Sequence, residues 1–204
     1  MKSIKVLGSL IKDSVLEITH GGKAYHIWMA LLTFVMLFGM FNYGIQLEEG
    51  LSATGMTDRV SWGLYISNFT FLVGVAAAAV MLVLPAYVLK NIDFKQAVLI
   101  GEGLAVAALL MCLAFVIADM GGPARLWHMI PVIGVFNFPN SMLTWDVIVL
   151  NGYLFINITV PLYILIMRYQ GKTPNPKIYI PGVFISVFWA VAIHLVTAFL
   201  YQGL

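Results

Sequence analysis

The stretch ADMGGPARLWHMIP, Ala118 to Pro131, places Asp119, Arg125 and His128 within ten residues, in a chain of which only 10% is charged. Aspartate and histidine can give and take protons in a reaction, and they stand near groups able to orient a polar ligand. Asp146 follows, with Asn151 and Tyr153 one to two helical turns beyond it, and the earlier run SWGLYISNFTF supplies Ser61, Trp62, Tyr65 and Asn68. Tyr65 and Asn68 are three residues apart, so they share a helix face. Two more ionisable groups, Glu102 and His194, stand alone in apolar surroundings. Each residue also has a plainer use. Asp146 is placed to cap a helix start, and Asp119 with Arg125 to close a loop as an ion pair. Glu102 can snorkel or meet Lys95, and His194 can hydrogen-bond inside a helix pack. Chemistry outweighs these uses only where the elements bring the residues to one place.

Those elements are membrane helices. Hydrophobic residues make up 61% of the chain and the mean hydropathy is +0.95, far above an ordinary soluble domain. Five stretches can cross a hydrocarbon core, which needs roughly 20 apolar residues per helix: about Ile27–Leu47, Trp62–Leu89, Ala97–Ala118, Val147–Met167 and Tyr179–Tyr201. They lack period-two alternation, so the expected fold is all-α and integral to the membrane, not a barrel. Residues 1–26 form an N-terminal segment whose Ile4, Leu7, Ile11, Val15 and Ile18 suit an amphipathic helix on the membrane surface. Residues 27–204 form the transmembrane domain, its first span a retained helix and not a cleaved signal. Lysine and arginine set the orientation: Lys2, Lys5, Lys12, Lys23, Lys90, Lys95, Arg168, Lys172 and Lys177 lie on one side, Arg59 and Arg125 on the other. The N-terminus is therefore expected in the cytoplasm, with the 48–61 and 119–146 loops outside. In span two, VGVAAAAV offers small residues for close helix approach. The single cysteine, Cys112, lies within span three, which provides no set for a disulfide, a zinc site or an iron–sulfur cluster.

In this topology Asp119, Arg125, His128, Asp146, Trp62, Tyr65 and Asn68 meet at the outer membrane boundary, with Tyr153 slightly deeper. A pocket there has an apolar body, aromatic walls and polar groups at its mouth. A quinone matches it, having a ring and tail that prefer lipid and two carbonyl oxygens that exchange protons as electrons move. A di-haem cytochrome b also binds quinone among helices, but His26, His128 and His194 do not pair at equal depths. A secondary transporter or ion-conducting subunit is the alternative of another class, though such proteins place polar groups near mid-membrane.

The stretches GKAYHIWMALL, GLSATGMTDRVSWGLYISNFTFLVGVAAAAVMLV, GEGLAVAALLMCLAFVIADMGGPARLWHM and FNFPNSMLTWDVIVLNGYLFIN cover most of residues 21–157. In them the chain resembles the NrfD/PsrC family of membrane quinone-oxidoreductase subunits, and within it the ten-helix branch of the sulfate reducers' Dsr, Hmc and Qrc complexes. The resemblance implies that spans two to five form an antiparallel four-helix bundle, the first half of that fold. It implies a subunit in the inner (cytoplasmic) membrane that binds menaquinone or menaquinol near the outer face and carries no haem or cluster itself. The expected partners are a ferredoxin-like iron–sulfur subunit docked outside, a multihaem cytochrome c and other membrane subunits of the complex; nucleic acid is not among them. A link to sulfur or sulfate respiration and to proton translocation comes with the branch. Carried onto this chain, the cofactor-binding residues are Trp62, Tyr65, Asn68, Asp119, Arg125, His128, Asp146 and Tyr153. Proton transfer falls to Asp119 and His128, with Glu102 and His194 on a proton path. The branch also has a second helix bundle, so the chain is expected to be either a fragment of a longer protein, the preferred reading, or a half-length variant that another chain completes.

Overall fold

A computed structural model describes residues 2–57, 59–60, 62–82 and 92–202. Among them run six α-helices: α1 (Lys2–Thr19), α2 (Lys23–Glu49), α3 (Leu64–Met81), α4 (Ile92–Asp119), α5 (Met142–Tyr169) and α6 (Pro176–Gln202). Two 3-10 segments, Leu51–Thr54 and Pro123–Met129, interrupt the longer connections. Lys23–Glu49, Ile100–Asp119, Met142–Tyr169 and Pro176–Gln202 are each long and apolar enough to cross a membrane, and Leu64–Ala79 is a shorter apolar helix. The chain is thus an all-α, multi-pass membrane protein. Every expected span falls on a helix, although the stretch 83–91 of span two, Ser61 and the Lys95 side chain lie outside what is described.

Four helices pack on one another: α3 lies against α4 and α6, and α5 lies against the same two. Their shared core holds Phe69, Val73 and Ala76 from α3, Leu109 and Cys112 from α4, Leu150 and Tyr153 from α5, and Ile193 from α6. Lipid offers no hydrophobic drive for helices to associate, so close fit must supply it. Small residues allow that fit. Ala76, Ala77 and Ala79 of the alanine run are buried, while Gly74 and Ala78 face outward. A Cβ on Gly152 would lie 2.4 Å from the Trp189 ring, and one on Gly182 would lie 2.6 Å from Val160. Trp189 locks the first approach by donating its Nε1–H to the Val149 carbonyl at 2.7 Å.

The other two helices stand apart. Gln46 is the only residue of α2 that is buried. Between α1 and α2 the HGG turn breaks the helix, and the Tyr25 hydroxyl reaches back to the Ile18 carbonyl at 2.8 Å. The exposed Ile11, Val15 and Ile18 lie along α1, and Asp13 accepts a 2.6 Å bond from Tyr169 of α5.

At the end bearing the 50–63 and 120–141 connections, two glycines shape the chain. Gly50 closes α2 at φ 79°. Gly121 ends α4 at φ 67°, where a Cβ would also lie 2.9 Å from the Leu51 side chain. The left-handed backbone and the close contact both require glycine. They seat the 51–54 segment on the end of α4, next to the polar groups below.

Candidate functional site

The last two turns of α2 carry Asn42, Tyr43 and Gln46. An amide buried in an apolar helix pack must find partners, and Gln46, 3% exposed, finds two. Its Nε2 donates to the Ala118 carbonyl of α4 at 2.7 Å. Its Oε1 accepts from the Tyr65 hydroxyl of α3 at 2.6 Å. This clasp joins α2 to both neighbours at the loop end.

Away from the clasp α2 stands off, leaving a groove of about 600 Å³ between itself, α3 and α4. Met36, Met40 and Tyr43 form one wall, Met111 and Phe115 the other, and Tyr65 lies between them. The Tyr65 and Phe115 rings are 6.1 Å apart and tilted. The Tyr43 hydroxyl is buried with no hydrogen-bond partner among the described residues, a state that costs about 1–3 kcal/mol if nothing fills it. A second cavity of about 300 Å³ adjoins under the 51–54 segment, bordered by Asn42, Gln46, Thr54 and Tyr65. An apolar trough with aromatic walls and one free hydroxyl can hold a flat, lipid-soluble molecule that presents an oxygen acceptor.

The other rim residues do not all converge there. Trp62 packs edge-on against Tyr201 of α6 at 5.1 Å, and the Tyr201 hydroxyl pairs with Thr70 Oγ1. Asp146 lies within electrostatic reach of Tyr201 and Cys112. Its Oδ1 is buried without a partner. Asp146 is not a cap, because Ser141 occupies that position and α5 begins at Met142. Asn68 donates only to the Leu64 carbonyl of its own helix at 2.8 Å. Tyr153 is fully buried and its hydroxyl donates to the Ala76 carbonyl at 3.3 Å, pinning α5 to α3. Asp119 directly follows Ala118, and its Oδ1 is buried and unpartnered. Arg125 and His128 are exposed, the latter with its ring 3.8 Å from that of Trp127, and Arg125 does not satisfy Asp119 Oδ1.

Glu102 lies in the opposite half of α4. It is 119 − 102 = 17 residues from Asp119, about 25 Å at the helical rise. His194 is exposed and its Nδ1 pairs with the Ala190 carbonyl of its own helix at 2.9 Å. The groups that sequence reasoning passed over are Asn42, Tyr43 and Gln46. The signal was present as NYGIQ at the end of span one, three polar side chains within one helical turn.

Residues 52–203 match the polysulphide reductase NrfD family. The chain belongs to the NrfD family. Among its relatives are a selenate reductase subunit of Mesobacillus selenatarsenatis, 30% identical over 59% of this chain and 28% of that protein, and the Hdr-like menaquinol oxidoreductase integral membrane subunit of Archaeoglobus fulgidus, 24% identical over 87% of this chain and 42% of that protein. A putative dimethyl sulfoxide reductase membrane subunit of Halobacterium salinarum is 25% identical over 62% of this chain and 29% of that protein. The chain therefore spans less than half the length of these relatives. No solved structure matches it. The NrfD match takes in α3 to α6 and starts at Ser52, so Tyr43 and Gln46 lie ahead of the matched segment.

Proposed function

We propose that the chain is the quinone-reacting part of a membrane redox complex, with menaquinol or menaquinone bound in the groove between α2, α3 and α4. The observation that carries this reading is the Tyr43 hydroxyl, buried and unpartnered on the wall of an apolar groove of about 600 Å³. Such a donor needs an oxygen acceptor, and a quinone carbonyl supplies one in a molecule whose ring and tail suit the methionine and phenylalanine walls. The Archaeoglobus relative, named as a menaquinol oxidoreductase subunit, supports the choice of ligand.

A quinol releases two electrons and two protons when it is oxidised. The protein's part is to hold and orient the ring with Tyr43 and Tyr65, keep it out of water, and offer proton acceptors at the rim. Asp119, with its buried unpartnered Oδ1 beside the Gln46 anchor, is the acceptor we assign. The electrons pass to an iron–sulfur subunit docked on the loop end, where Arg125, Trp127 and His128 are exposed; a multihaem cytochrome c belongs to the same proposal. The loop end faces outward by the distribution of lysine and arginine, with the N-terminus in the cytoplasm. We read α3 to α6 as an antiparallel four-helix bundle. Contacts of Tyr65 with Phe115 and Ala79 with Gly101 between α3 and α4, and of Gly152 with Trp189 and Val160 with Gly182 between α5 and α6, support it, since within each pair of helices one partner's number falls as the other's rises.

The test is Tyr43→Phe in the assembled complex. The expected result is a KM for a menaquinol analogue raised by about fivefold or more, the equivalent of a lost hydrogen bond of about 1 kcal/mol, with normal complex assembly. An unchanged KM in the assembled mutant would contradict the assignment of the groove.

A further inference from the structure

The groove leaves a buried carboxylate on α4 unused. Glu102 is 4% exposed and its Oε2 is buried without a hydrogen-bond partner, inside a membrane helix where an uncompensated charge costs several kcal/mol. It borders a small cavity of about 10 Å³ that Asn157, Pro161 and Ser186 also line, enough room for one water-sized species. A wider groove of about 440 Å³ shares Glu102, Asn157 and Pro161 with it.

The lining is rich in oxygen. The Asn157 Nδ2 donates to the Tyr153 carbonyl at 2.9 Å, which leaves Oδ1 free. The Ser186 hydroxyl donates to the Val183 carbonyl at 2.7 Å, which leaves its oxygen lone pairs free. Pro161 has no N–H, so the Asn157 carbonyl four residues before it lacks its usual helical donor. Glu102, Asn157 and Ser186 thus each bring an oxygen to the cavity lining, while one amide hydrogen of Asn157 and the Ser186 hydroxyl hydrogen are engaged with backbone carbonyls. Among the described residues, Arg168 is a cation in electrostatic reach of Glu102, but it is exposed and leaves Oε2 unpartnered.

We infer that Glu102, Asn157 and Ser186 form a binding site for one small monovalent cation, sodium, at the break that Pro161 makes in the hydrogen bonding of α5. A sodium ion neutralises the single carboxylate and meets the free oxygens at once. A proton on Glu102 would satisfy one of them and leave the space empty. Freed backbone carbonyls at interrupted membrane helices coordinate ions of this kind. None of these residues borders the groove assigned to quinone, so the site stands or falls independently of that reading.

The experiment is equilibrium binding of radioactive sodium to the purified complex, joined to labelling of Glu102 by dicyclohexylcarbodiimide, which attacks only a protonated buried carboxyl. The expected result is saturable binding of one sodium per chain, weakened about tenfold or more by Glu102→Gln and less by Ser186→Ala, in keeping with the loss of a charged and a neutral ligand. Sodium, but not potassium, should slow the labelling. Wild-type complex that binds no sodium saturably would overturn the site. So would labelling that proceeds equally with and without sodium, the behaviour of a carboxyl that holds only a proton, or full binding by Glu102→Gln.

Discussion

Replacing Tyr65 with phenylalanine removes one oxygen and leaves the ring to face Phe115 as before. Gln46 Oε1 then loses the donor 2.6 Å away, in a side chain only 3% exposed. A buried acceptor stripped of its donor costs about 1–3 kcal/mol, and since about 1.4 kcal/mol is tenfold, the clasp between α2 and its neighbours weakens by roughly 5- to 150-fold. Quinol binding that depends on the closed clasp should weaken by up to that factor. The assay is steady-state oxidation of a menaquinol analogue by membranes containing the complex, with its amount fixed by immunoblot. The prediction is a raised KM, with assembly unchanged. Asn68→Ala is the control: its amide bonds only to the Leu64 carbonyl of its own helix, so its KM should move by no more than about twofold, the scale of a surface substitution. The reasoning is refuted if Tyr65→Phe leaves KM unchanged while Asn68→Ala raises it, since the ligand would then bind at Asn68 without using the clasp.

Three more outcomes bear on the fold and the rim. Gly152→Ala drives a Cβ to within 2.4 Å of the Trp189 ring; it should lower Tm in detergent by an overpacking cost of about 1–3 kcal/mol, and the smaller ring of Trp189→Phe should restore part of the loss. Cys112 is fully buried, so a maleimide should label it slowly in the folded protein and fast in denaturant. Arg125→Ala and His128→Ala alter exposed side chains and should leave Tm unchanged, within about 0.5 kcal/mol of stability; if the iron–sulfur partner docks there, they should weaken its co-purification at raised salt.

The helices were legible in the sequence because lipid leaves the backbone few choices: a long apolar run without alternation must be helical, and over the described residues each such run carries a helix. The rim was legible only as a depth. Counting residues along a span places Trp62, Tyr65, Asn68 and Asp146 at one level, but it does not say which way around the helix each side chain points. Tyr65 therefore turned towards α2 while Trp62 met Tyr201, and Asp146 came within electrostatic reach of Tyr201 and Cys112. Asp146 looked like a cap because the apolar run starts after it, yet the helix begins at Met142. Tyr153 looked like pocket lining and is core, its hydroxyl donating to the Ala76 carbonyl. The role of α2 was hidden for another reason. Its single buried residue, Gln46, is uncharged, and although NYGIQ marks a polar cluster at the end of the span, nothing in it says which of the three side chains turns inward to hold the helix. Glu102 was visible as a buried charge, but its surroundings depend on Asn157 and Ser186, which α5 and α6 bring from far along the chain.

The most direct test of the central claim is photo-crosslinking of a light-activated menaquinone analogue to the assembled complex, with the labelled peptides mapped by mass spectrometry. The account predicts label on the groove, at Tyr43 or its neighbours on α2 and at Tyr65 or Phe115, competed away by unlabelled menaquinone. Label confined to the Asp146 and Tyr201 side of the helices, with none on α2, would contradict it.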